Sequence, residues 1–225
     1  MPPRSRTLTL AAADGHHLQA YEARPAGPAK AGLVVLQEIF GVNRHMRSVA
    51  DGFAAEGYVA IAPALFVRIR PGIELGYGED DIQQGRDLRA KITWAQVFAD
   101  VRASIAALAG VGPLGIVGYC WGGSLAWRAA TQIDGVAAAV CYYGGQIAEF
   151  AAERPRSPVL MHFGETDHAI PLSDVDRVRA AQKDAVTIHL YPAGHGFNCD
   201  ERGSFDAACA KLARGRTLEF FARHL

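Results

Sequence analysis

The chain has 225 residues, half of them hydrophobic and a fifth charged, with 23 Lys plus Arg against 23 Asp plus Glu. That length suits one compact α/β domain, and zero formal net charge gives no support for nucleic acid as a partner, which usually needs a basic face. No run approaches the roughly 18 apolar residues of a membrane span, and the N-terminal MPPRSRTLTLAAADG lacks the apolar core of a secretory signal. Four cysteines without a CxxC pair suit neither a disulfide scaffold nor structural zinc. The expectation is a cytoplasmic protein with free thiols.

In chain order, Thr7–Leu10 and His17–Tyr21, split by Asp14-Gly15, predict a β-hairpin at a sheet edge. Apolar runs follow at Leu33–Leu36, Tyr58–Ala62, Leu114–Val117, Val136–Tyr142, Val159–Phe163 and Val186–Leu190. Apolarity without alternation suits strands buried on both faces. Helical spacing occupies Arg44–Glu56, Ala95–Ala109, Gly123–Thr131, Ser173–Gln182 and Ser204–His224. The alternation predicts a single α/β domain over residues 1–225. Its sheet is mostly parallel and doubly wound, with helices on both faces and an N-terminal hairpin. Residues 64–94 break the rhythm with Pro71-Gly72, Gly76, Gly78 and a charged run from Glu79 to Lys91. They predict an insertion with a short helix near Asp81–Ala90, placed to cover a site.

The densest signal is Gly118-Tyr119-Cys120-Trp121-Gly122-Gly123, a G-x-C-x-G pattern between a buried strand and a helix. This is a nucleophile elbow with cysteine in place of serine. A strand turning sharply into a helix holds one side chain at the top of the sheet in a strained conformation, and glycines on either side leave room for the backbone. The adjacent helix N-terminus favours thiolate over thiol. The bland alternative is a tight strand–helix turn around a small buried cysteine.

In such a fold an acid and then a histidine follow the nucleophile, each after a strand. Val159–Phe163 runs into Gly164-Glu165-Thr166-Asp167-His168, and Val186–Tyr191 runs into Pro192-Ala193-Gly194-His195-Gly196-Phe197. His195 is therefore the expected base and Asp167 its orienting acid. Glu165 and Asp174 compete for the acid's place, Asp174 fitting better the first turn of the next helix. His168 reads as a loop residue. His16, His17, His45, His162, His189 and His224 read as structural or solvated.

Together these residues resemble the dienelactone hydrolase (carboxymethylenebutenolidase) family over nearly the whole chain. The matching pieces are Leu36-Gln37-Glu38-Ile39-Phe40-Gly41, Gly57–Pro63, the cysteine elbow, Gly164–Pro171 and Gly194–Phe197. The resemblance implies an α/β-hydrolase fold and cleavage of a small ester or lactone by Cys120, with no cofactor. It further implies that Glu38 holds the thiol's proton at rest and swings when substrate arrives, and that the backbone N–H groups of Ile39 and Trp121 form an oxyanion hole. One departure bears on substrate. Where the family carries an arginine for a substrate carboxylate, four residues after the histidine, this chain has Cys199, with Arg202 three residues further on; Arg86 and Arg89 in the insertion are candidates for a second arginine. Alternative readings are a binding protein without useful catalysis on the same fold, or a hydrolase of thioesters or other carboxylic esters.

Overall fold

The computed structural model describes residues 3–225, which fall into two compact units divided between Gly115 and Ile116.

In the first unit, β1 (Arg4–Ala11) and β2 (His17–Arg24) form the expected antiparallel hairpin, in register from Arg4↔Arg24 to Ala11↔His17. Both strands run beyond the predicted spans because pairing, not apolarity, sets their ends: β1 is mostly exposed. The turn closes through Ala12 N–H to His16 O, and Gly15 takes φ 83°, a conformation that suits glycine. β2 pairs antiparallel with β4 (Tyr58–Pro63), and β4 pairs parallel with β3 (Ala31–Leu36). Every residue of β3 and β4 is buried, so both faces of these strands are covered. Helix α1 (Arg44–Ala55) starts at Asn43, whose side chain accepts the Met46 N–H, and buries His45, Met46, Ala50, Phe53 and Ala54. Helix α3 (Trp94–Ala107) opens with a Thr93–Gln96 capping box, satisfying two N–H groups that a helix start leaves open.

The insertion is folded and fastened. It begins with a 3-10 turn, Leu65–Arg68, and carries helix α2 (Glu79–Arg89), two residues ahead of the predicted start. Arg68, almost fully buried, bonds Asp100 of α3 at 2.7 and 2.8 Å and Asp14 of the hairpin at 2.8 Å. Arg47 of α1 grips Glu74 through two bonds of 2.7 and 2.8 Å, and Asn43 Nδ2 donates to Leu75 O and Tyr77 Oη, each at 3.1 Å.

In the second unit the strand order is β5-β6-β7-β8, with β5 (Leu114–Tyr119) starting at the boundary, then β6 (Ala138–Tyr142), β7 (Val159–Gly164) and β8 (Val186–Tyr191). β6, β7 and β8 are parallel neighbours, with Tyr142↔His162 and Gly164↔Tyr191 in register. Helices α4 (Trp121–Gln132), α5 (Leu172–Gln182) and α6 (Ala207–His224) complete the unit. Helix α4 begins at Trp121 rather than Gly123. The Gly122-Gly123 pair is a poor helix former, but the turn at Cys120 imposes helix one residue later. Both β6 and β7 are buried throughout, as the continuous apolar runs require.

Candidate active site

Three side chains, 28 to 75 residues apart in sequence, meet beyond the ends of the second unit's strands. Cys120 stands between β5 and α4 with φ 54° and ψ −116°. That left-handed backbone is costly for a residue with a Cβ. The surroundings enforce it: the Cys120 N–H donates to Tyr142 O at 3.0 Å, and the Gly123 N–H to Cys120 O at 3.0 Å. A Cβ at Gly118 would strike the Gly122 carbonyl, and one at Gly123 would strike the Tyr142 carbonyl. Gly123 is thus required by the approach of β6 to the elbow. Gly144 is required in the same way, since its Cβ would meet Ser124 N and Gly123 C.

His195 comes from the loop after β8. Its Nδ1 lies 2.7 Å from Asp167 Oδ2 and its Nε2 3.2 Å from Cys120 Sγ. Asp167, in the loop after β7, has a fully buried carboxylate, and its Oδ1 accepts the N–H groups of Ala169 (2.8 Å) and Ile170 (3.2 Å). Glu165 and His168 are exposed, and Asp174 lies in the first turn of α5. Of the three candidate acids, Asp167 is the one bonded to the histidine. Trp121, the first residue of α4, carries an N–H at a helix start, where donors lack intrahelical partners.

Burial alone would push the His195 imidazolium pKa down. The Cys120 thiolate charge and the Asp167 hydrogen bond outweigh it and hold the value up at about 10. A raised value means that the imidazolium persists as pH climbs and is lost near pH 10. Cys120→Ala removes the largest raising influence. The His195 ring, followed by NMR, is expected to deprotonate about one to three pH units lower in that variant; an unchanged titration would refute the coupling of His195 to Cys120.

The dienelactone hydrolase family profile matches residues 18–225. The chain belongs to the dienelactone hydrolase family. A Synechocystis sp. protein named "Putative carboxymethylenebutenolidase" is 35% identical over 212 residues, covering 86% of each chain. An Escherichia coli K12 protein of the same name is 36% identical, covering 96% of this chain and 86% of its own. The crystal structure titled "Putative Dienelactone Hydrolase" from Klebsiella pneumoniae superposes with TM-score 0.86 at 31% identity, over 99% of this chain and 100% of that one. The fold is that of the α/β hydrolases, and the family is one of ester and lactone hydrolases.

The other residues to which the family resemblance points are placed as follows. Glu38, two residues past the end of β3, is wholly buried, and Ile39 beside it is nearly so. Helix α2 sits on this segment: a Cβ at Gly85 would strike the Ile39 carbonyl. Arg86 of α2 is exposed and Arg89 half-buried. Arg89 follows Gly85 by four residues and so shares its face. In the second unit Cys199 is wholly buried. The Arg202 guanidinium packs against Gly196, next to His195, closely enough that a side chain at Gly196 would displace it. Among the described residues no helix is long and apolar enough to cross a membrane.

Proposed function

We propose that this family member cleaves a small ester or lactone by way of a thioester on Cys120. One observation carries the reading: the hydrogen-bonded relay from Asp167 through His195 to the Cys120 sulfur, at 2.7 and 3.2 Å. The thiolate attacks the carbonyl carbon, and the resulting oxyanion is received by the N–H groups of Trp121 and Ile39. Collapse breaks the carbon–oxygen ester bond, and His195 Nε2 delivers its proton to the departing alkoxide, which in a lactone stays on the same molecule. Water then attacks the thioester, His195 takes a proton from it, and the thiolate leaves. Asp167 holds the imidazole in the required tautomer throughout.

The sulfur facing the imidazole is, on this reading, the armed arrangement. Glu38 is the carboxylate that holds the thiol's proton at rest and swings when substrate arrives, so that thiolate formation is coupled to binding. Arg89, on the Gly85 face of α2, and Arg202, against the His195 loop, are the cations proposed for a substrate carboxylate; Cys199, wholly buried, fills a place in the same loop. The 1–225 chain is proposed to act as one hydrolase domain with residues 64–94 as cover. A reducing compartment such as the cytoplasm suits a mechanism that needs a free thiol.

The test is turnover of a panel of unsaturated lactones, acyl thioesters and p-nitrophenyl esters, with rapid-quench mass spectrometry. An acyl group on the Cys120 peptide, removed by hydroxylamine, is expected, with carboxylate-bearing lactones the preferred class and Arg89→Ala weakening that class alone. An acyl group on another residue, or no turnover of any class, overturns the reading.

A further inference from the structure

Beneath the relay runs a second, fully buried chain of polar side chains. Tyr142 Oη lies 2.7 Å from Thr217 Oγ1, Thr217 Oγ1 lies 3.0 Å from His162 Nε2, and His162 Nδ1 lies 2.7 Å from Tyr191 Oη. None of the four residues is more than 1% exposed. They come from β6, β7, β8 and α6, so the chain runs across three adjacent strands and is closed from below by a helix. Both ends lead to the relay. Tyr142 presents the carbonyl that accepts the Cys120 N–H, and the Tyr143 N–H that follows donates to His162 O at 2.7 Å. Tyr191 is the last residue of β8, four before His195, and its carbonyl accepts the Glu165 N–H at 2.8 Å at the start of the Asp167 loop. Phe197, two residues past His195, has its ring centroid 5.0 Å from that of Tyr191 and 5.4 Å from that of Tyr143.

We propose that this Tyr142–Thr217–His162–Tyr191 chain is a positioning device that sets the distance between the Cys120 elbow and the His195 loop; it rests on the reading of Cys120 and His195 as nucleophile and base. A buried polar chain contributes little net stability compared with an apolar filling of the same shape. Its hydrogen bonds are directional, however, and fix the mutual register of the groups it joins. Burial, with the His189 and Arg216 charges adding to it, holds His162 neutral. It therefore has one ring nitrogen to donate and one to accept, and the chain has a single direction at a time. Thr217 is the hinge of the device, since its one hydroxyl serves both Tyr142 and His162. None of the four touches the reacting atoms; Tyr142 and Tyr191 act through the strand ends they occupy, and His162 and Thr217 act by tying those two together.

Thr217→Val keeps shape and removes the hydroxyl. The expected result is a fall in kcat of about tenfold or more, since sub-ångström to 1 Å errors in alignment carry such losses, with KM within about twofold because substrate contacts are not touched. The rate of Cys120 alkylation by iodoacetamide at neutral pH should fall with it, and its pH inflection should move up, because a displaced imidazole stabilises the thiolate less. Thr217→Ser should restore both. Tyr191→Phe, which deletes one oxygen and is the milder change, should show the same loss in smaller degree and serves if Thr217→Val does not fold. Wild-type kcat and an unmoved alkylation profile in either folded variant would overturn the proposal. Cys120→Ala on the same substrates separates the two readings: if it keeps turnover, the nucleophile assignment fails, whereas a dead Cys120→Ala beside a fully active Thr217→Val removes the positioning role alone.

Discussion

Cys120→Ala is expected to lower turnover of activated esters and lactones by roughly four to six orders of magnitude while leaving the melting temperature close to that of the parent protein. The size of the loss follows from what remains. Cys141, Cys199 and Cys209, the other free cysteines, are all buried, and burial holds Cys141 firmly in its thiol form. The nearest hydroxyl along α4, Ser124, is buried and its oxygen accepts the Gln146 N–H at 3.0 Å. No second nucleophile on the elbow is placed to take over, so what is left is oxyanion stabilisation acting on water. The small effect on stability follows from the backbone: alanine meets the same left-handed strain at this position that cysteine does, and the hydrogen bonds enforcing it are made by main-chain atoms. Initial rates across the substrate panel, with thermal unfolding of both proteins, check the two halves together. Activity within tenfold of the parent in a folded Cys120→Ala protein would remove the thioester mechanism. A parent protein as inert as the variant would leave a binding role on the same fold.

What was legible in the sequence is what short-range rules control. The apolar runs place the strands because strands covered on both faces must be continuously apolar, as β3, β4, β6 and β7 are. The G-x-C-x-G pattern identifies the elbow because the crowding around Gly118 is local, between residues four apart. Loops after β7 and β8 give Asp167 and His195 because strand ends deliver side chains to one edge. The start of α4 was misplaced by two residues because tertiary constraint at Cys120 overrides the low helix propensity of Gly122 and Gly123. The sequence points to Asp167 with Glu165 as its competitor two residues away; what separates the two is the buried Asp167 carboxylate bonded to His195, against an exposed Glu165. The buried chain through His162 and Thr217 had no sequence signal at all. Residues 142, 162, 191 and 217 obey no common spacing, and a histidine inside an apolar run reads as structural until its two hydrogen-bond partners are seen. The requirement for Gly85, set by the Ile39 carbonyl, is hidden for the same reason.

Asp167→Asn should be almost as damaging as loss of the nucleophile, by about four orders of magnitude in kcat, although it changes one atom. Asp167 uses its two oxygens differently: Oδ1 accepts from the Ala169 and Ile170 N–H groups, and Oδ2 faces His195 Nδ1. Asparagine has one acceptor and one donor at these places. If its NH2 turned toward Ala169 and Ile170, a donor would face two N–H donors and the short bond from the Ala169 N–H (2.8 Å) would be lost, while the Ile170 N–H would keep only the Asp167 carbonyl. The favoured orientation therefore keeps the oxygen there and points the NH2 at His195. The imidazole must then accept at Nδ1, which moves its proton to Nε2, the nitrogen facing the sulfur. A neutral ring in that tautomer cannot take the thiol's proton, and no carboxylate remains to stabilise the imidazolium. The alkaline loss of the imidazolium, near pH 10 in the parent, should shift downward in the variant, since one raising influence has gone. Steady-state kinetics and the His195 NMR titration read both effects, with Asp174→Asn as the companion: Asp174 sits in the first turn of α5 against Arg177 at 3.4 Å, and its loss should leave kcat within about twofold, as for a surface change away from the site. Near-parental activity in Asp167→Asn, or a collapse in Asp174→Asn, would reassign the acid and with it the tautomer on which the proposed chemistry depends.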